Sequence, residues 1–253
     1  MITSLRNSRI ADVRRLQRRR ERRASGRTTI EGPFLLQEAI AAGLTVHEVF
    51  AAPEDESAAV LSARVGVTVC HVSGDVLKGM ASSVNPRGPI SVISIPGQTE
   101  IDLIDSIVLW DIADPGNAGT MIRTAAAFGF QVLASSDTVD LWAPKVVRSG
   151  VGGHFQTRIV EGLVAKLDTI TNAGLAAVVA TMDGPDVREV GLDQRGPIAL
   201  IVGNEAHGIP VDIAEADNVI KVGLPMPGGS ESLNAAVTAG ILMYLRSSTP
   251  NTD

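Results

Sequence analysis

The chain has 253 residues, 45% hydrophobic and 3% aromatic, with 25 glycines and a formal net charge of −6. That is enough for two domains with cores of Ala, Val, Ile and Leu, a composition suited to α/β proteins with tight strand-to-helix turns. One cysteine, Cys70, excludes an intrachain disulfide. No apolar run reaches the ~18 residues of a membrane span. The spacing of the four histidines matches no ligand set, so no metal is expected.

Charge is unevenly distributed. Residues 1–27 hold ten arginines against Asp12 and Glu21, a segment charge of +8, and the remainder carries −14. Residues 1–24 are therefore expected to form a basic arm, with Arg18, Arg19, Arg20, Arg22 and Arg23 as candidates for RNA phosphate contacts. The competing reading is a solvated, helix-prone charged face. No apolar segment follows these arginines, so they do not form a secretory signal, and a cytoplasmic location is expected.

Residues 25–96 read as a small α/β unit. Pro33 opens a helix through Leu44, with Gly43 near its end. Val46–Phe50 alternates as a strand, residues 57–65 read as helix and Val67–Val72 as strand. Ser73 caps a helix to Ala81, and Pro89–Pro96 is a β-rich run. Residues 97–100 look like a linker, and 101–253 form a second α/β domain. There, strands at Ser106–Trp110, Gln131–Ala134, Ala176–Thr181 and Ile198–Val202 alternate with helices at Gly116–Gly129, 161–173 and Ser232–Arg246. Such alternation predicts a mostly parallel sheet covered on both faces. Residues 247–253 read as a frayed tail.

Three stretches of the second domain carry chemistry. Asp114-Pro-Gly-Asn117 opens a helix that bears Arg123 among small apolar residues. Free N–H groups at such a start favour an anion nearby. A buried strand runs into Gly203-Asn-Glu205, and ligands of α/β sheets bind beyond strand carboxyl ends. Leu224-Pro-Met-Pro-Gly-Gly-Ser-Glu-Ser-Leu-Asn234 is a Gly/Pro loop that breaks into a helix and exposes Ser230, Ser232 and Asn234. His207 reads as an ordinary loop histidine. Gly150-Val-Gly-Gly153 lacks the full dinucleotide fingerprint, and no nucleophile elbow is present.

These motifs, in this order, resemble those of the SpoU (TrmH-type) branch of the SPOUT methyltransferases. The resemblance covers about residues 25–246 and includes Ile30-Glu-Gly-Pro33, Asn85-Pro-Arg-Gly88 and Asp140…Pro144-Lys-Val-Val-Arg148. It implies a ribosomal-protein-like α/β/α RNA-binding domain, followed by a SPOUT α/β domain with a deep trefoil knot. It also implies a homodimer, RNA as partner without DNA or membrane, and S-adenosylmethionine as cofactor. The implied reaction is methyl transfer to a ribose 2′-hydroxyl, most directly of ribosomal RNA. Transfer RNA is the second substrate class, and a catalytically silent RNA-binding or ribosome-assembly factor is the alternative outside enzymes. By the same resemblance Arg123, Asn117, Glu205, Ser232 and Asn234 are catalytic. Thr181, Met182, Gly203, Leu224, Met226 and Leu233 hold the cofactor, and Lys145 and Arg148 contact RNA. Arginine stays protonated in proteins, so Arg123 fits a phosphate or alkoxide stabiliser as well as the base proposed in the family. Ala143 replaces an asparagine common in members, and Ser149–Gly153 is unusually glycine-rich.

Overall fold

The computed structural model describes residues 1–86, 88–97, 100–162, 167–229 and 232–247. Arg87, Gln98 and Thr99 of the expected linker, residues 163–166, Ser230 and the tail from 248 lie outside the described residues. The chain divides into two compact units, Met1–Gly97 with Asp140–Phe155, and Gln98–Val139 with Gln156–Asp253. Among the described residues, no helix is long and apolar enough to cross a membrane.

The first unit opens with α1 (Ser8–Arg15) and α2 (Arg19–Ser25). Strands β1 (Arg27–Glu31), β2 (Val46–Ala51), β3 (Val69–His71) and β4 (Ile90–Ser94) form a sheet of order β1-β4-β2-β3, in which only β2 and β3 are parallel. Helices α3 (Pro33–Ala41), α4 (Glu56–Ala63) and α5 (Gly74–Met80) connect them. Ser73 accepts from Val76 N as the expected cap of α5. Ile10, Val13 and Leu16 recur every three residues and so share one side of α1, where they pack with Phe50, Val76, Met80, Ile90 and Val92. Ser91 and Ile93, on the opposite face of β4, are also fully buried.

The expected arm over residues 1–24 is therefore corrected: this stretch is part of the unit's core, and most of its arginines form the solvent face of two helices. Arg22 is corrected as an RNA contact. Its side chain is 3% exposed, its Nε lies 3.0 Å from Asp140 Oδ2, and its Nη1 donates to the Leu16 carbonyl at 2.6 Å. Arg18, Arg20 and Arg23 are exposed and Arg19 is half-buried. Asp140 belongs to the later segment of this unit, which continues into α7 (Pro144–Ser149) against β1. In the same segment, the Trp142 carbonyl accepts from Thr28 Oγ1 at 2.7 Å. Lys145 on α7 is exposed. Arg148 is half-buried, donating to Ser82 Oγ at 2.8 Å with Glu31 Oε2 at 3.8 Å. Burial alone would raise the Glu31 pKa, but hydrogen bonds from Ser83 and Ser82, together with Arg148, hold it below the usual range.

His154 gives this unit a pH dependence. It is 1% exposed, its Nε2 lies 2.9 Å from the Leu141 carbonyl, and its ring stands edge-on to Trp142. Burial pushes its pKa down to about 4 despite the raising effect of that carbonyl. An unfolded histidine titrates near ~6.5, so the unfolded chain binds the extra proton between about 6.5 and 4. Stability is expected to be complete above that window and to fall by roughly 3 kcal/mol through it as pH drops. Urea midpoints of wild type and His154→Gln, measured from pH 8 to 4, check this. Parallel pH profiles for the two proteins would contradict it.

In the second unit, β5 (Ser106–Leu109), β6 (Gln131–Ala134), β7 (Ile159–Glu161), β8 (Ala176–Ala180), β9 (Ile198–Val202) and β10 (Val219–Val222) form a sheet of order β10-β8-β9-β5-β6-β7. Every neighbouring pair is parallel. Val108, Leu133, Val179 and Ile201 are in the core that α8 (Leu167–Asn172) helps to cover, and the short α9 (Val211–Ala214) packs near β10. Asp114 caps α6 (Pro115–Phe128), and Gly129 ends it at φ 74°. α6 packs along α10 (Ala235–Ser247); a Cβ on Gly240 would sit 3.8 Å from Thr124, and the Phe128 and Tyr244 rings are 6.1 Å apart. The two helices run in the same direction, with their N-termini together. The expected helix over 161–173 is shorter among the described residues, beginning at Leu167, and β7 occupies 159–161.

Candidate active site

Strands β5 and β9 are neighbours, with Leu109 opposite Val202 and Trp110 N donating to the Val202 carbonyl at 2.9 Å. The loops leaving their carboxyl ends therefore meet. The Asp114 side chain accepts from Asn117 N at 2.8 Å, fixing the first turn of α6. Asn117 Nδ2 donates to Glu205 Oε1 at 2.7 Å, and Asn117 Oδ1 accepts from Asn234 Nδ2 at 2.9 Å. Asn234 Oδ1 in turn caps α10, accepting from Ala236 N at 2.9 Å and Val237 N at 3.2 Å. One residue from each of the three motifs is thus joined in a single hydrogen-bonded chain. Glu205 sits beside the N-terminus of α6, which presents positive partial charge.

Arg123 lies outside this chain of bonds. It is exposed on α6 and, among the described residues, its side chain makes no hydrogen bond or ion pair. Ser232 is exposed just before α10, and His207 is an exposed loop residue. Two residues in the network were missed as site residues by sequence reasoning. Asn204 Nδ2 donates to the Asp111 carbonyl at 2.7 Å, while its Oδ1 accepts from Ala206 N and His207 N. The available signal was the Gly-Asn turn itself, since asparagine side chains bond their own backbone two residues on.

A cleft of about 310 Å³ lies at the ends of β8 and β10, lined by Met182, Gly184, Asp186, Gly223, Leu224, Pro225 and Met226. Three of the six expected cofactor residues, Met182, Leu224 and Met226, line it. Thr181 precedes it, with its Oγ1 buried and unpartnered among the described residues. Gly203 and Leu233 are not in its wall. Gly184, Asp186, Gly223 and Pro225 were missed. A Cβ on Gly184 would meet Val222 C at 2.5 Å, and one on Gly223 would meet the Gly184 carbonyl oxygen at 2.5 Å, so only glycines allow the two loops to approach this closely. Apolar side chains, exposed backbone and the Asp186 carboxylate in its wall fit a nucleoside with a cationic, sulfur-bearing tail.

The fold has counterparts among solved structures. An AdoMet-bound rRNA methyltransferase from Sinorhizobium meliloti superposes with a TM-score of 0.83 at 27% identity, over 96% of this chain and 95% of that one. An RNA methyltransferase architecture is thereby defined. The 23S rRNA (guanosine(2553)-2'-O)-methyltransferase RlmP of Bacillus subtilis is 30% identical over 96% of this chain and 97% of its own length. An uncharacterized tRNA/rRNA methyltransferase of Synechocystis sp. is 32% identical over 96% of this chain and 92% of its own length. Residues 106–244 match the SpoU rRNA Methylase family, and residues 7–91 match an MRM3-like substrate binding domain. The chain belongs to the SpoU rRNA methylase family, and it is accordingly an S-adenosylmethionine-dependent RNA methyltransferase.

Proposed function

We propose that the protein transfers a methyl group from S-adenosylmethionine to a ribose 2′-hydroxyl of ribosomal RNA. The observation that carries this is the Glu205–Asn117–Asn234 chain of hydrogen bonds at the strand ends of the sheet that also holds the cleft. When bound, the cofactor supplies an electrophilic methyl carbon. Thr181, Met182, Leu224 and Met226 hold it, with Gly203 and Leu233 at the ends of the neighbouring motifs. Asn117, Glu205, Ser232 and Asn234 orient the ribose, and positioning counts for much where hydroxyl oxygen, methyl carbon and sulfur must lie in line. Arg123 stabilises the developing alkoxide and the adjacent phosphate. The ribose oxygen held by these residues would take the methyl group, with S-adenosylhomocysteine as the product left behind and the hydroxyl proton released to solvent.

RNA is held by Arg18, Arg19, Arg20, Arg23, Lys145 and Arg148, with residues 101–139 and 156–253 as the catalytic unit and the loops after β8, β9 and β10 forming the knot. The protein acts in the cytoplasm on RNA and not DNA. Methyl transfer from labelled cofactor to unmodified ribosomal RNA, with the product mapped by mass spectrometry, tests this reading. A base-methylated product would overturn it, and transfer only to transfer RNA would move the substrate class.

The proposal includes a homodimer, supported by an exposed apolar stripe. Val237, Ile241 and Tyr244 share one face of α10, and Leu233 extends the stripe, at 50%, 37%, 56% and 41% exposure. Val237→Glu is expected to yield monomers in sedimentation velocity; an unchanged dimer would place the interface elsewhere.

A further inference from the structure

Asp111 is one of two non-glycine residues with positive φ among the described residues, at 54°. Such a conformation strains most side chains, and in folded proteins it clusters where geometry serves function. The residue lies two positions beyond β5, just ahead of the Asp114 cap. Its own side chain holds the unusual backbone. Asp111 N donates to Ser135 Oγ at 2.8 Å, and Ser135 Oγ donates back to Asp111 Oδ1 at 2.5 Å. Ser135 is 5% exposed and lies 3.1 Å from Thr138 Oγ1, which donates to the Leu109 carbonyl. The clamp is thus anchored in buried structure at the ends of β5 and β6.

The clamp acts on the second motif. The Asp111 carbonyl accepts from Asn204 Nδ2, so the φ of Asp111 fixes the direction in which Asn204 is held. Glu205 follows directly, and its two oxygens accept from Asn117 Nδ2 at 2.7 Å and Ala113 N at 3.4 Å. Both donors lie within six residues of Asp111 on the same loop and helix start. Every link from Asp111 to the Glu205 carboxylate is therefore a short polar contact or a single peptide step.

We infer that Asp111 is a positioning residue for the transfer reaction, orienting Glu205 and Asn117 through Asn204 without touching substrate. This rests on the proposed role of Glu205. Asp111→Ala removes the Oδ1 acceptor while keeping a Cβ at positive φ. Asp111→Asn keeps an acceptor and suits that conformation better than alanine. The expected result is a kcat about ten- to hundredfold lower for Asp111→Ala, with cofactor Kd unchanged and activity restored in Asp111→Asn. Because Asp111 acts through Glu205, Asp111→Ala combined with Glu205→Gln should be no slower than Glu205→Gln alone. Additive losses, or an Asp111→Asn as slow as the alanine variant, would overturn the inference. Side-chain amide NMR signals of Asn204 and Asn117 give a readout independent of turnover. Asp111→Ala should shift both, and unmoved signals would overturn the inference even if wild type methylates no RNA. A silent wild type with shifted amides would instead refute the methyl-transfer reading while leaving the clamp standing. If Asp111→Ala fails to fold, Ser135→Ala, which cuts the same clamp, takes its place in each comparison.

Discussion

Arg123→Ala is expected to lower kcat at least a hundredfold while leaving the cofactor Kd within about twofold. The magnitude is that of removing one preorganised charge donor from a developing oxyanion. The selectivity follows from location. Arg123 is exposed on α6, its side chain makes no bond among the described residues, and it is absent from the wall of the cleft. Its loss therefore leaves no buried partner stranded and no cofactor contact missing. Arg123→Lys should recover only part of the rate, because an ammonium keeps the charge but not the planar fork that grips a phosphate. Isothermal titration with S-adenosylhomocysteine alongside single-turnover methyl transfer separates the two quantities. A cofactor Kd that rises in step with the loss of rate would remove Arg123 from the substrate side of the reaction.

Arg22→Met is expected to cost about 3–5 kcal/mol of stability, the usual penalty for leaving a buried carboxylate without its partner. Asp140 is the group left stranded, at 9% side-chain exposure. Arg22→Met with Asp140→Leu should recover most of the loss, since exchanging a whole buried ion pair for apolar groups is often neutral or favourable. Urea denaturation of the four proteins completes the cycle. Undiminished stability in Arg22→Met, with RNA affinity reduced, would return Arg22 to the RNA-contacting set. The same reasoning changes what a truncation reports. Removing residues 1–23 takes away Ile10, Val13 and Leu16 as well as the arginines, so lost RNA binding in such a variant would reflect a damaged core.

Apolar runs were legible in the sequence where they stood alone. β6 and β9 lie where the runs Gln131–Ala134 and Ile198–Val202 place them, and the caps Ser73 and Asp114 work by side-chain acceptance at their helix starts. β1 was not legible because Thr28 and Thr29 are buried beside a single aliphatic residue, Ile30. β10 was hidden because it is a four-residue edge strand carrying Lys221. In α1, arginine density concealed a three-residue apolar spacing that a hydrophobicity count alone does not see. The motif residues Asn117, Glu205 and Asn234 were legible as types at fixed places. Their mutual bonding was not, because they meet only when β5 lies beside β9 and α6 beside α10. Asp111 and Asn204 gave still less signal, since their roles depend on backbone direction.

The ion pair of Arg22 with Asp140 has a consequence for how the protein can be cut and rejoined. The first unit is discontinuous in sequence: its second piece is encoded between β6 and β7. An excised fragment ending at residue 97 would lack Asp140, Trp142 and α7, and would bury an uncompensated guanidinium. Chimaeras that exchange only the N-terminal portion between relatives would inherit mismatched halves of one packing unit. A transplantable first unit must therefore carry residues 140–155 along with the N-terminal portion, two pieces inserted at separate places in the host gene.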